Sequence, residues 1–234
     1  MELLRGAGGV MRVGHRGAAA LAPESSLEAI EAAAACGADA VELDVLPGLV
    51  VAHGPEVPPD APLLDEALTL AARLGLAVQL DVKHLGLAAD VVGALRSHDL
   101  LERSFVSSYS LPILAAFAAA EPALPRSFTY PEDRLGVTGN RVLAPAVRPV
   151  LAGLRAVLPF RLPRWLRLSG ARAATLNWAV VTPRAVEACH RLGVAVFVWT
   201  VNERALATTL VESGIDGIIS DDPRIVPAGT TLTT

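Results

Sequence analysis

The stretch Ala40-Val41-Glu42-Leu43-Asp44-Val45-Leu46 decides the fold of this chain. Its β-branched and aliphatic residues read as a strand. On a strand, side chains at i and i+2 share a face. Glu42 and Asp44 therefore point one way, and Val41, Leu43 and Val45 the other. Such a strand suits a closed barrel, with its valines and leucine under an outer layer of helices and its two carboxylates turned to the interior.

On either side of this stretch, the chain alternates short apolar runs with Ala/Leu-rich helical patterns. Further strands are expected over Val10–Val13, Ala77–Val82, Ser104–Ser108, Arg126–Tyr130, Ala174–Asn177, Ala195–Val201 and Gly217–Ser220. Helices are expected over Ser26–Cys36, Leu64–Leu74, Leu87–Ser97, Leu111–Ala120, Pro183–Leu192 and Asn202–Ser213. Ser25 and Ser26 sit where the first helix needs its N-cap. Gly37, Gly75, Gly193 and Gly214 follow helices in the manner of C′ glycines. Alternating strands and helices imply a parallel sheet. Eight such units in 234 residues fit an α/β (β/α)8 TIM barrel, a single domain over residues 1–234. An open dinucleotide-binding sheet would need GxGxxG after the first strand. Gly14-His15-Arg16-Gly17 stands there instead.

Proline and arginine crowd the segment Pro131–Gly170, with arginines at 134, 141, 148, 155, 161, 164 and 167. It is expected to form one broken basic helix between the fifth and sixth strands. Its plain reading is a solvated outer helix. Because Leu, Val, Phe160 and Trp165 interleave with the arginines, the sharper reading is a peripheral membrane contact.

The net charge of -4, with no long basic run, argues against nucleic acid as a partner. Cys36 and Cys189 are too few for a disulfide framework and are expected to be reduced, buried thiols. The first residues lack a signal-peptide pattern, and no stretch of ~18 apolar residues runs free of charge or proline. The expected location is cytoplasmic.

Two bare carboxylates close together in a barrel mouth repel each other. A shared proton, a basic partner or a divalent cation relieves the repulsion, and hard oxygen ligands favour Mg2+ or Ca2+. The next strand repeats the spacing with Asp81 and Lys83, so Asp81 can join a metal shell and Lys83 can reach a phosphate. Lys83 is the one lysine among 20 basic residues, and a compact ammonium suits phosphate oxygens. His15 and Arg16 end the first strand, and His53 follows Leu49–Ala52. Two histidines at strand ends can act as acid and base at neutral pH. Arg16 can hold a phosphate oxygen. His84, His98 and His190 are read as structural.

Taken in order, His15-Arg16-Gly17, Pro23-Glu24-Ser25-Ser26, Gly37 to Val45, Val51-Ala52-His53, Trp199-Thr200-Val201-Asn202 and Gly214 to Pro223 resemble the glycerophosphodiester phosphodiesterase family. The resemblance implies a TIM barrel and a metal-dependent hydrolase that cleaves glycerophosphodiesters to an alcohol and glycerol 3-phosphate. It implies Glu42, Asp44 and Asp81 as metal ligands, His15 and His53 as acid and base, and Arg16 and Lys83 as phosphate contacts. Trp199 matches an aromatic beside the substrate pocket. The implied partner is a small phosphodiester, and Glu24 is expected to support the first loop.

The chain departs from the family at three points. Gly54 stands where an Asp usually follows the second histidine and orients it. The segment after His53 is short, which predicts an open mouth. Asp81 replaces the usual Glu. These departures keep two alternatives in view: a lysophospholipase D-like enzyme for bulkier lipid diesters, and a barrel that binds phosphodiesters without turning them over.

Overall fold

The computed structural model describes residues 1–4, 9–54, 56–131 and 144–227, with side chains left undescribed over 144–150. Nine strands join one sheet. They are β1 (Met11–His15), β2 (Ala40–Leu46), β3 (Val50–Val51), β4 (Ala77–Val82), β5 (Ser104–Ser108), β6 (Arg126–Tyr130), β7 (Ala173–Asn177), β8 (Ala195–Trp199) and β9 (Gly217–Ser220). Eight of them are parallel and close on themselves, because β1 pairs with both β2 and β9. β3 lies antiparallel on β2 as a two-residue hairpin arm.

Among the described residues, seven helices surround the barrel. They are α1 (Leu27–Ala35), α2 (Leu64–Leu74), α3 (Ala88–Ser97), α4 (Leu111–Ala120), α5 (Ala144–Ser169), α6 (Pro183–His190) and α7 (Arg204–Glu212). The TIM-barrel expectation is met, with element ends displaced by a few residues. Ser26 caps α1, its side chain accepting from the Ala29 N–H. Gly75 closes α2 in the left-handed region at φ 76°, a conformation that costs glycine nothing.

The strand alternation sorts side chains as the opening stretch implies. Val41, Leu43, Val45, Val78, Leu80 and Val82 point outward into an apolar layer with Ile30, Leu64, Leu68 and Leu95. Val13, Ala40, Phe105, Ala173, Phe197 and Ile219 fill the lower interior. There, Phe105 and Phe197 meet at 5.1 Å between ring centroids. Gly217 makes this plug possible, since a Cβ at that position would fall 2.3 Å from the Phe197 ring. Above the plug the interior turns polar. Gln79 donates to Ser107, and Ser127 bonds Thr175. The barrel is therefore packed with apolar side chains below and turns polar toward the carboxyl ends of its strands.

The helix expected to be broken runs unbroken over its described length, from Ala144 to Ser169; residues 132–143 lie outside the described chain. Prolines 159 and 163 remove backbone donors inside α5. Leu158, Leu162 and Leu166, all buried, anchor the helix to the barrel nonetheless. Trp165 stacks on Phe128 and Tyr130 at 5.8 and 5.1 Å. That corrects its expected place on a membrane-facing surface. Cys189 is buried as expected, whereas Cys36 is only half-buried because it caps the open end of α1; both are free thiols. No described helix is long and apolar enough to cross a membrane.

Candidate active site

Every side chain nominated for chemistry reaches one cavity at the barrel mouth. Its volume is about 530 Å3, and His15, Arg16, Glu42, Asp44, His53, Asp81, Lys83 and Trp199 all line it. Strand register explains the convergence. His15 pairs with Glu42 across β1 and β2, and Asp44 lies opposite Asp81 across β2 and β4. Three neighbouring strands thus raise their carboxyl-terminal residues to one level.

Glu42, Asp44 and Asp81 each offer an oxygen, and the three lie within 4.8 Å of one another. Glu42 and Asp44 are buried. Lys83 donates to Asp44 and lies 3.3 Å from Asp81 Oδ2. Arg16 Nε stands 3.5 Å from Asp44 Oδ2. Three carboxylates thus face two fixed cations, in a site of low polarity where repulsion is large. Burial, then the charge of Asp44, pushes Glu42 up to about 7. Asp81 is raised mainly by burial, with Asp44 adding to it and Lys83 opposing. Burial would raise Asp44 as well, but the His53 hydrogen bond and the charge of Lys83 outweigh it and hold Asp44 well below the usual carboxylate range. Lys83 loses charge preference to burial and regains more from Asp81 and Asp44, so it stays cationic.

Two buried carboxylates and a third partly buried, with Glu42 driven to hold a proton, make a donor set that fits a divalent cation. Glu42, Asp44 and Asp81 would hold it. A consequence can be measured without any metal. Since Glu42 rises from 4.5 to about 7 on folding, its contribution to stability is intact below about pH 4.5 and is lost as pH climbs through about 7. Glu42→Gln, compared with the parent chain after metal stripping, should therefore gain in relative melting temperature between pH 5 and 7. A difference that stays flat with pH would contradict the placement of that charge.

Both catalytic candidates among the histidines are oriented through Nδ1. His15 Nδ1 lies 2.6 Å from Asp221 Oδ1, and its Nε2 lies 4.0 Å from Glu42 Oε2. His53 Nδ1 lies 2.9 Å from Asp44 Oδ2. An ionised carboxylate only accepts, so each Nδ1 carries a hydrogen, and each Nε2 is left to accept a proton in the neutral ring or donate one in the cationic ring. Burial lowers the affinity of His15 for a proton, but the hydrogen bond to Asp221 and the charge of Glu42 overcome it, and its pKa is raised. Asp44 supplies the orientation of His53 that Gly54 lacks.

Arg16 owes its position to its backbone. It occupies the left-handed region at φ 49°, a strained conformation for a side-chain-bearing residue. From there its N–H donates to Glu42 Oε2 at 3.1 Å, and its guanidinium donates to Glu24 at 2.5 Å. Glu24 supports the first loop, as expected. Arg16 Nε is buried without a hydrogen-bond acceptor, a donor free for a substrate oxygen. Trp199 lines the cavity and also donates from Nε1 to the Thr175 carbonyl at 3.3 Å, so packing and cavity-lining coincide. His84 lines the cavity too, whereas His98 and His190 pair with Asp65 and Asp216 away from it.

Sequence reasoning gave no role to Asp221 and Asn202. Asn202 donates to Asp221 Oδ2 and accepts from the Asp221 N–H at 3.0 Å, fixing the carboxylate that orients His15. The available signal was position: Asp221 directly follows the last barrel strand, at the same end as the other acids.

Comparison with known proteins identifies the family. The glycerophosphoryl diester phosphodiesterase family model matches residues 15–47 and 74–225. His53 falls in the unmatched interval. A glycerophosphodiester phosphodiesterase of Caldanaerobacter subterraneus subsp. tengcongensis is 24% identical over 252 residues, covering 90% of this chain and 93% of the relative. A crystal structure from Silicibacter pomeroyi, assigned to the glycerophosphoryl diester phosphodiesterases, superposes with a TM-score of 0.76 at 22% identity, covering 96% of this chain and 94% of that one. An Oleispira antarctica phosphodiesterase, determined in complex with the product sn-glycerol-3-phosphate, gives 0.71 at 18% identity, covering 92% and 94%. The chain belongs to the glycerophosphoryl diester phosphodiesterase family.

Proposed function

We propose that this protein hydrolyses glycerophosphodiesters to an alcohol and glycerol 3-phosphate, using Mg2+ or Ca2+ held by Glu42, Asp44 and Asp81. The observation that carries the reading is the meeting of this acidic group with two oriented imidazoles and two phosphate-seeking cations in one cavity. The product bound by the Oleispira relative supports the glycerol phosphate half of the substrate. When bound, the cation supplies charge that offsets the negative charge building on the phosphoryl group.

The residues of the chain do the remainder. Arg16 Nε and Lys83 Nζ take up phosphate oxygens and orient the phosphorus. His15 Nε2 removes a proton from the attacking water as its oxygen bonds to phosphorus. The bond from phosphorus to the alcohol oxygen breaks, and His53, entering the step with both ring nitrogens protonated and its Nδ1–H held by Asp44, delivers the Nε2 proton to that oxygen. Asp221 supports the positive charge that His15 acquires. Trp199 walls the side of the cavity opposite β2 and β4, where it limits the shape of the bound diester.

Incubation with excess EDTA should abolish release of glycerol 3-phosphate from glycerophosphocholine, and added Mg2+ or Ca2+ should restore it. Running lysophosphatidylcholine alongside separates a preference for bulkier lipid diesters. A folded, metal-loaded protein that turns over neither compound would contradict the proposal and favour a binding role.

A further inference from the structure

The outer face of α5 carries a feature the hydrolytic site does not use. Phe160 is 79% exposed, Leu168 63% and Val157 42%. At about 100° per residue, these three fall on one side of the helix together with Arg161, Arg164 and Arg167. Leu158, Leu162 and Leu166 fall on the opposite side, buried against the barrel. Exposed aliphatic and aromatic groups of this size are usually scattered singly. Here they share a stripe with guanidinium groups.

The charge of the stripe is as selective as its hydropathy. The chain carries a net charge of -4, yet no acidic residue occurs between Ala144 and Ser169. The neighbouring α4, Leu111–Ala120, has no charged residue at all. No carboxylate among the described residues pairs with Arg161, Arg164 or Arg167. An acidic protein has thus gathered positive charge with no acidic partner among the described residues, and exposed apolar side chains, on one helix face that runs about 17 Å from Val157 to Leu168 at ~1.5 Å per residue.

We infer that this face of α5 docks the protein onto the surface of an anionic lipid bilayer, with Phe160, Val157 and Leu168 entering the headgroup boundary and the three arginines meeting lipid phosphates. The combination identifies the partner. Arginine alone would serve a nucleic acid, but three protruding apolar side chains gain nothing from a phosphate backbone. An apolar stripe alone would serve a protein, but with no acid in the helix itself to complement them the arginines select an anionic surface. The helix lies on the surface and does not span the bilayer, because its inner face belongs to the barrel. The docking is independent of whether the cavity turns over diesters.

The test is sedimentation of the full chain with vesicles of phosphatidylglycerol mixed with phosphatidylcholine, against vesicles of phosphatidylcholine alone. Binding is expected to the anionic vesicles and to weaken sharply in about 1 M salt, where charge is screened within ~3 Å. Phe160→Asp with Leu168→Asp should reduce binding about tenfold or more. Replacing Arg161, Arg164 and Arg167 together by Gln should reduce it about 100-fold. All these side chains are exposed, so circular dichroism and turnover of soluble glycerophosphocholine should stay at the parent level. Failure of the parent chain to prefer anionic vesicles would overturn the inference, as would variants that bind like the parent. So would a parent chain that is dimeric by light scattering, becomes monomeric on Phe160→Asp and ignores vesicles, since a second copy would then be the occupant.

Discussion

His15→Ala is expected to lower kcat by about 10²–10⁴-fold, with the melting temperature little changed. The imidazole is the one side chain whose ring joins the acidic group on one side and a fixed carboxylate, Asp221, on the other. Alanine removes the proton acceptor and leaves Asp221 with its Asn202 contacts intact. Asp221→Asn separates orientation from chemistry. An amide can donate to Nδ1, which shifts the ring hydrogen to Nε2 and takes away the base. That variant should lose more than about tenfold in kcat with KM nearly unchanged. Because the support for a protonated ring is also lost, the acidic limb of its pH–rate profile should move to lower pH. Steady-state kinetics over pH decides both outcomes. A His15→Ala enzyme within about threefold of the parent would remove His15 from the reaction.

Asp44→Asn should be the more damaging change, by about 10³-fold or more, because three functions meet at this carboxylate. Asp44 accepts from Lys83, orients His53 through Nδ1 and belongs to the candidate metal group. The amide keeps the shape and loses the charge. Lys83 would then turn wholly to Asp81, 3.3 Å away. His53 would lose the only orienting carboxylate among its described partners. Stability of the metal-free protein should fall modestly at neutral pH, because the favourable contacts that hold Asp44 below the usual carboxylate range are lost, and the relief given to Glu42 and Asp81 offsets only part of that. A loss of activity matched by an equal loss in melting temperature would argue that Asp44 is structural.

The sequence carries the barrel because two periods are written into it. Residues 40–46 alternate with a period of two, and the helices between strands repeat an apolar face. Those patterns place Val41 and Leu43 in the outer layer and Glu42 and Asp44 in the mouth. Lys83 stands out by being the one lysine, and it lies at the centre of the ion pairs. What escaped are contacts between residues distant in the chain. Asp221 reaches His15 across 206 positions, and nothing local in Ser220-Asp221-Asp222 announces it. The substitution of Asp44 for the missing acid after His53 was equally hidden. It depends on the β2–β3 hairpin folding back, and that hairpin rests on a two-residue strand. In α5, the prolines weakened the expectation of a continuous helix, while Leu158, Leu162 and Leu166 supplied the packing that holds it. Local propensity lost there to burial.

Diffraction from crystals soaked in Mn2+, recorded where manganese scatters anomalously, tests the central claim most directly. One peak is predicted, within about 2.0–2.6 Å of an oxygen from each of Glu42, Asp44 and Asp81, in the cavity that His15 and His53 also line. A peak held by other side chains, or an intact lattice with no peak between these three carboxylates, would contradict it.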